Sequence, residues 1–191
     1  MLQAQINETV LELIQGDITH QDTDAVVNSA NPTLGGGGGV DGAIHRAAGP
    51  KLLAETRKKG GCEVGDAKIT KGYTLKARHV IHTVGPIYDP NNPKVAAQLA
   101  SSYRRSLEVA VENGLKTIAF PAISTGIYAY PLEEAAPIAL RTVIDFAGEA
   151  ADSSIELIRF VLFNKKTYDA FSAALRQLAS ADSRVLLKTT T

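Results

Sequence analysis

The chain has 191 residues, 45% of them hydrophobic, enough for one sizeable core and one domain. Twenty basic residues balance twenty acidic ones, so bulk electrostatics ties it to neither nucleic acid nor a membrane surface. Its single cysteine, Cys62, excludes an intrachain disulfide and fits a reducing compartment; the neighbours in "KKGGCEVGD" suggest a lone surface thiol on a loop.

The first segment, "MLQAQINETVLELIQGD", lacks the basic start and apolar run of a signal peptide. No stretch reaches the ~20 apolar residues of a membrane span, so a soluble, cytoplasmic protein is expected. "TVLELIQ" alternates in polarity and stops at Gly16-Asp17, as a half-buried strand does. "DAVVNSA" is a short β-branched strand ended by Asn31-Pro32. Five glycines, Gly35 to Gly39, precede "DGAIHRAAGPKLLAETRKKG", which is helical in pattern and broken near Gly49-Pro50. "DAKITKGY" and "ARHVIHTVG" read as two strands joined by a turn. "PKVAAQLASSYRRSLEVAVENG" has apolar residues at helical spacing and a glycine stop. A strand "KTIAFPAIS", a helix "EEAAPIALRTVIDFAGEA", a strand "SIELIRFVLF" and a helix "KKTYDAFSAALRQLAS" complete the chain. Pro137 inside the first of these helices predicts a start near Glu133 or a kink.

This alternation predicts an α/β fold, one domain over residues 1–183 with helices on both faces of the sheet, and a frayed tail over 184–191. No room for a helix separates the first two expected strands, "TVLELIQ" and "DAVVNSA", which predicts a mixed sheet. Ligands of such sheets collect at the carboxyl ends of the strands. Three unusual stretches fall there: "GDIT", "NSANPTLGGGGGVD" and "PAISTGIY".

A glycine run between a strand and a helix is suited to an oxyanion, because bare amides approach it closely and the helix N-terminus adds partial positive charge. It is not a P-loop, since Val40-Asp41 stands where Lys-Ser or Lys-Thr is required. Gly37, Gly39 and Gly42 match the dinucleotide spacing G-x-G-x-x-G, but any run of five glycines does so readily. Asp41 either caps the helix or orients or deprotonates a water beside bound phosphate. Asn31 either serves the turn before Pro32 or donates to a substrate hydroxyl.

Ser124, Thr125 and Gly126 offer small residues and backbone donors for a second face of a diphosphate, and Tyr128 can close over a ligand. Ala122 occupies the position where a serine-hydrolase elbow needs glycine, which speaks against Ser124 as a nucleophile. Asp17 either ends the first strand or accepts from an adenine amino group. His79 and His82, three apart on a strand, face opposite sides and cannot share a metal. His45, four residues after Asp41 on a helix, lies on about the same face as that carboxylate. No metal and no cofactor are expected.

"GDITHQDTDAVVNSANPTLGGGGGVDGAIHRAAGP", "HTVGPIY" and "FPAISTGIYAYP" resemble the macrodomain family, specifically its MacroD-type hydrolase branch, in order and approximate spacing. The resemblance implies a three-layer α/β/α macrodomain with a mixed, mostly parallel central sheet that binds ADP-ribose. It implies that Asp17 holds the adenine amino group with the Ile18 backbone beside it, and that Phe163 and Asn164 flank the base. Gly38, Gly39 and Val40 would grip the diphosphate, opposed by Ser124, Thr125, Gly126, Ile127 and Tyr128. Asn31 would contact the distal ribose, and Asp41 would be the catalytic carboxylate, with Asn31 assisting. Two positions depart from the pattern: Ser29 stands where the family often has Ala, and Gly35 replaces a bulky residue, which loosens the start of the loop.

The implied activity is hydrolysis of esters on the distal ribose of ADP-ribose: O-acetyl-ADP-ribose deacetylation and removal of mono-ADP-ribose from Asp or Glu of proteins. The implied partners are ADP-ribose, its esters and mono-ADP-ribosylated proteins, with no membrane. Zero net charge, six tyrosines and five phenylalanines speak against a nucleic-acid surface. The alternatives are a non-catalytic ADP-ribose reader and a regulatory or RNA-associated module.

Overall fold

The β-branched and alternating segments of the chain pair as one eight-stranded sheet in a computed structural model that describes residues 1–149 and 154–188. The strands are β1 (Leu2–Ile6), β2 (Thr9–Gln15), β3 (Ala25–Ser29), β4 (Ala67–Lys71), β5 (His79–Thr83), β6 (Thr117–Phe120), β7 (Leu157–Leu162) and β8 (Leu186–Lys188). Their order is β4-β5-β3-β6-β7-β2-β1-β8. Five α-helices accompany them among the described residues: α1 (Gly39–Ala48), α2 (Pro50–Thr56), α3 (Val95–Glu112), α4 (Leu132–Glu149) and α5 (Lys165–Ala181).

The five inner strands β5, β3, β6, β7 and β2 run parallel. They are apolar on both faces, as a sheet covered by helices on both sides requires. In β3, Ala25 and Val27 point into a large cluster with Leu99, Tyr103 and Leu107 of α3, Leu140 and Val143 of α4, and Phe171 and Leu175 of α5. Val26 points the other way, to Ile44 and Ala48 of α1 and Leu52 of α2. The result is the expected three-layer α/β/α arrangement. The break at Gly49-Pro50 separates α1 from α2, with Pro50 opening the second helix. Helix α4 starts within one residue of Glu133. Pro137 lies just beyond its first turn, so the Glu133 carbonyl lacks its usual intrahelical donor.

The sheet is mixed, but not where the short β2–β3 spacing predicts. Strands β2 and β3 are parallel, separated in the sheet by β6 and β7 and linked through a short 3-10 turn at Ile18–His20. The antiparallel pairs lie toward the edges: β4 on β5, β1 on β2, and β8 on β1. The expected frayed tail is also corrected in part. Leu186, Leu187 and Lys188 pair with Gln5, Ala4 and Gln3, and Val185 is buried. The Arg184 guanidinium donates to Asp182 and Asp145, while residues 189–191 lie outside the described residues. Among the described residues, no helix is long and apolar enough to cross a membrane.

Candidate active site

Parallel strands aim the loops after β2, β3, β6 and β7 at one edge of the sheet. Two of these loops enclose a cleft of about 320 Å³. One wall is Ser29 to Asn31 and Gly37 to Asp41; the other is Ala122, Ser124, Gly126, Ile127 and Tyr128.

The glycine loop is shaped by its own polar side chains. Asn31 Nδ2 donates to the Gly36 carbonyl at 2.9 Å, and Thr33 Oγ1 donates to Asn31 Oδ1 at 2.8 Å. The Gly35 amide donates to Thr33 Oγ1 at 3.2 Å, so the expected slack start of the loop is held by Thr33. Leu34 anchors the loop from below, packed with Ala30, Cys62 and Val84. Cys62 is therefore buried, at 6% exposure, rather than the surface thiol its polar neighbours suggest. Burial pushes its thiol up to about 11, which suppresses the reactive thiolate.

Helix α1 begins with Gly38 as N-cap and no side-chain cap, leaving the first-turn amides without intrahelical partners at the cleft. The helix approaches the loop so closely that a Cβ on Gly42 would stand 2.5 Å from the Gly37 carbonyl oxygen. Only glycine fits there.

Asp41, in this first turn, does not cap the helix. Its side chain is 7% exposed, and Oδ1 accepts from Asn28 Nδ2 at 2.8 Å. His45 Nε2 lies 3.4 Å from the same oxygen, as the four-residue spacing predicts. Oδ2 faces Gly37, 3.1 Å from where a Cβ would sit. Asn28 Nδ2 also lies 3.1 Å from His82 Nδ1, and His82 Nε2 lies 2.9 Å from Thr70 Oγ1. Burial, with His45 and Lys59 nearby, pushes the His82 imidazole down to about 3, so it is neutral near pH 7. Asn28 Oδ1 has no hydrogen-bond partner, which for a buried carbonyl costs about 1–3 kcal/mol.

The opposing loop turns on Ser124, which is 4% exposed and has φ of +65°, a strained conformation outside glycine. A Cβ on Gly85 would lie 2.1 Å from Ser124 Oγ, so that glycine makes the turn possible. Amides of Tyr130 and Ala129 close the loop onto the carbonyls of Ser124 and Gly126. Thr125 folds its hydroxyl back to the Ala122 carbonyl. Ile127 is 81% exposed and spans the cleft, its Cδ1 3.7 Å from the Cβ position of Gly38.

Asn31, Gly38, Gly39, Val40, Asp41, Ser124, Gly126, Ile127 and Tyr128 thus line one cleft, as the sequence predicts; Asp17, Ile18 and Thr125 lie outside its wall. Asp17 follows β2 at the same sheet edge, where the Gly16 amide bonds the last carbonyl of β7. Its carboxylate accepts from the Thr19 hydroxyl and amide, and the hydroxyl bond foremost holds it below the usual carboxylate range. The Ile18 side chain enters the core, and its carbonyl accepts from the Gln21 amide in the short 3-10 turn. Phe163, just past β7, is 80% exposed, and Asn164 caps α5. The roles of Asn28, His82 and Thr70 were not legible, although a polar residue inside "AVVNS" and another inside "HVIHT" are the signals that mark two of them. Among the described residues, no group of three or more His, Cys, Asp or Glu side chains is arranged to hold a metal ion.

The profile of the Macro domain family matches residues 27–139. A Xenopus laevis protein named ADP-ribose glycohydrolase MACROD2 is 52% identical over 169 residues, covering 88% of this chain and 40% of the frog protein. The Oceanobacillus iheyensis macrodomain solved with ADP is 40% identical with a TM-score of 0.89, over 95% of this chain and 100% of that one. The Trypanosoma brucei macrodomain in complex with ADP-ribose is 41% identical with a TM-score of 0.81, over 86% of this chain and 68% of that one. With its three-layer α/β/α fold and its cleft between a glycine loop and a serine-threonine-glycine loop, this chain belongs to the Macro domain family.

Proposed function

We propose that the cleft binds ADP-ribose and hydrolyses esters on its distal ribose. The observation that carries this reading is the Asp41 carboxylate, buried and held through Oδ1 while Oδ2 faces the glycine loop at the cleft. Binding alone needs only the amides of the two loops; a fixed carboxylate beside them is suited to chemistry. The ADP and ADP-ribose complexes of the two macrodomains and the name of the frog relative support the same ligand.

In this reading the diphosphate lies between the Gly38–Val40 amides and the loop of Ser124 to Tyr128. Asp17 and the Ile18 backbone receive the adenine at the outer end, and Asn31 offers its second amide hydrogen to the distal ribose. Asp41 orients or deprotonates a water. That oxygen joins the acyl carbon as the bond from acyl carbon to ribose oxygen breaks, and the ribose oxygen leaves with a proton. O-acetyl-ADP-ribose and proteins mono-ADP-ribosylated on Asp or Glu are the substrates. A cytoplasmic setting belongs to the proposal, and the single cysteine fits it.

Two assays test it together. Calorimetry with ADP-ribose, AMP and NAD should rank ADP-ribose first. The wild type should release ADP-ribose from a glutamate-linked protein and acetate from O-acetyl-ADP-ribose. Binding without either release would make the protein a reader; tight, steeply salt-dependent RNA binding without ADP-ribose binding would support a nucleic-acid module instead.

A further inference from the structure

We infer that His82 is a positioning residue: it holds the Asn28 amide with its NH2 group on Asp41 Oδ1, which leaves Oδ2 directed at the cleft. This inference rests on the hydrolase reading above.

The hydrogen-bond directions support only one arrangement. The Asn28 amide nitrogen has two hydrogens and no acceptor capacity. One goes to Asp41 Oδ1 at 2.8 Å, and the other points at His82 Nδ1 at 3.1 Å. His82 Nδ1 must then accept, so the ring proton sits on Nε2 and is donated to Thr70 Oγ1 at 2.9 Å. The Thr70 hydroxyl hydrogen is in turn directed to the Lys71 carbonyl at 3.1 Å, which fixes its oxygen as the acceptor. The chain runs from a main-chain carbonyl on the edge strand β4, through β5 and β3, to the carboxylate on α1.

The reversed arrangement is unfavourable at the site. A ring protonated on Nδ1 would set donor against donor at Asn28 and favour a flip of the amide. Asn28 Oδ1 would then face Asp41 Oδ1, acceptor against acceptor. The observed orientation uses both amide hydrogens, on Asp41 and His82, and leaves Asn28 Oδ1 buried without a partner. The imidazole can fill this role because burial keeps it neutral.

The test combines three variants with nitrogen NMR of the histidine rings. In the wild type, His82 should be a single Nε2–H tautomer with the Asn28 side-chain amide protected from exchange. His82→Leu should lower kcat about tenfold by releasing Asp41, with the Kd for ADP-ribose within about twofold of wild type. His82→Gln, with a carbonyl to accept from Asn28 and an amide to donate to Thr70, should recover most of that loss. Thr70→Val, close to isosteric, should mix the tautomers and lower kcat about threefold. An Nδ1–H ring in the wild type overturns the inference. So does wild-type kcat in His82→Leu, or a parallel loss of kcat, affinity and Tm in all three variants. A wild type that hydrolyses neither ester defeats the hydrolase reading instead, and the tautomer and amide signals then decide the hydrogen-bond chain without activity.

Discussion

Asp41 and Asp17 are carboxylates at the same edge of the sheet, one in the first turn of α1 and the other just past β2, yet their surroundings differ in kind. The Asp41 side chain is 7% exposed, on the first turn of a helix, with one oxygen fixed by Asn28 and the other facing Gly37 of the cleft wall. The Asp17 side chain is 44% exposed, and its carboxylate is already engaged by Thr19 in a local turn. A buried, oriented carboxylate has little to reorganise when charge develops beside it. An exposed one that must share existing bonds can help select a ligand but adds little to a rate. The cleft wall therefore holds a buried, hydrogen-bonded carboxylate at Asp41, whereas Asp17 and the exposed Phe163 lie beyond that wall.

Substitutions at the two ends should separate rate from affinity. The largest effect is expected for Asp41→Ala, which should lower kcat by about 10²- to 10⁴-fold while changing ADP-ribose affinity far less. Single-turnover release beside calorimetry checks this, and equal losses in both would erase the distinction. Acid should next expose the Asp41 end. The folded His82 pKa, about 3, lies below the ordinary 6.5, so the unfolded chain binds more protons between those values. Stability should thus fall as pH drops from about 6.5 toward 3, by on the order of a few kcal/mol, and His82→Gln should flatten that slope in denaturant titrations. Asp17, with its lowered pKa, contributes stability above 3.8 that is lost only at still lower pH.

Gly42→Ala should weaken ADP-ribose binding by about 2 kcal/mol, because the new methyl group displaces the Gly37 carbonyl and opens the glycine loop. The smallest effect is expected for Asp17→Ala, about 1 kcal/mol in ADP-ribose affinity with kcat unchanged. A drop in kcat there would break the contrast between the two ends.

Much of this contrast was legible in the chain. The glycine run, the carboxylate two residues after it and the "STGIY" loop all announce small residues where backbone must meet ligand, and the structure brings them to one cleft. What stayed hidden depends on long-range pairing. "LQAQI" alternates like a strand, but its glutamines and alanine are weak strand formers, and β8 has only three exposed residues. The parallel relation of β2 and β3 depends on β6 and β7, contributed from more than eighty residues downstream. Cys62 has polar sequence neighbours yet packs beneath Leu34, and His82 gains meaning only when Asn28 and Thr70 arrive on adjacent strands.

The polarity of the bound nucleotide tests the central claim most directly. A crystal structure with ADP-ribose should place the distal ribose within hydrogen-bond reach of Asn31 and Asp41, the diphosphate on the two loops, and the adenine between Asp17 and Phe163. A nucleotide bound in the opposite sense, or a cleft left vacant at saturating ADP-ribose, would contradict it.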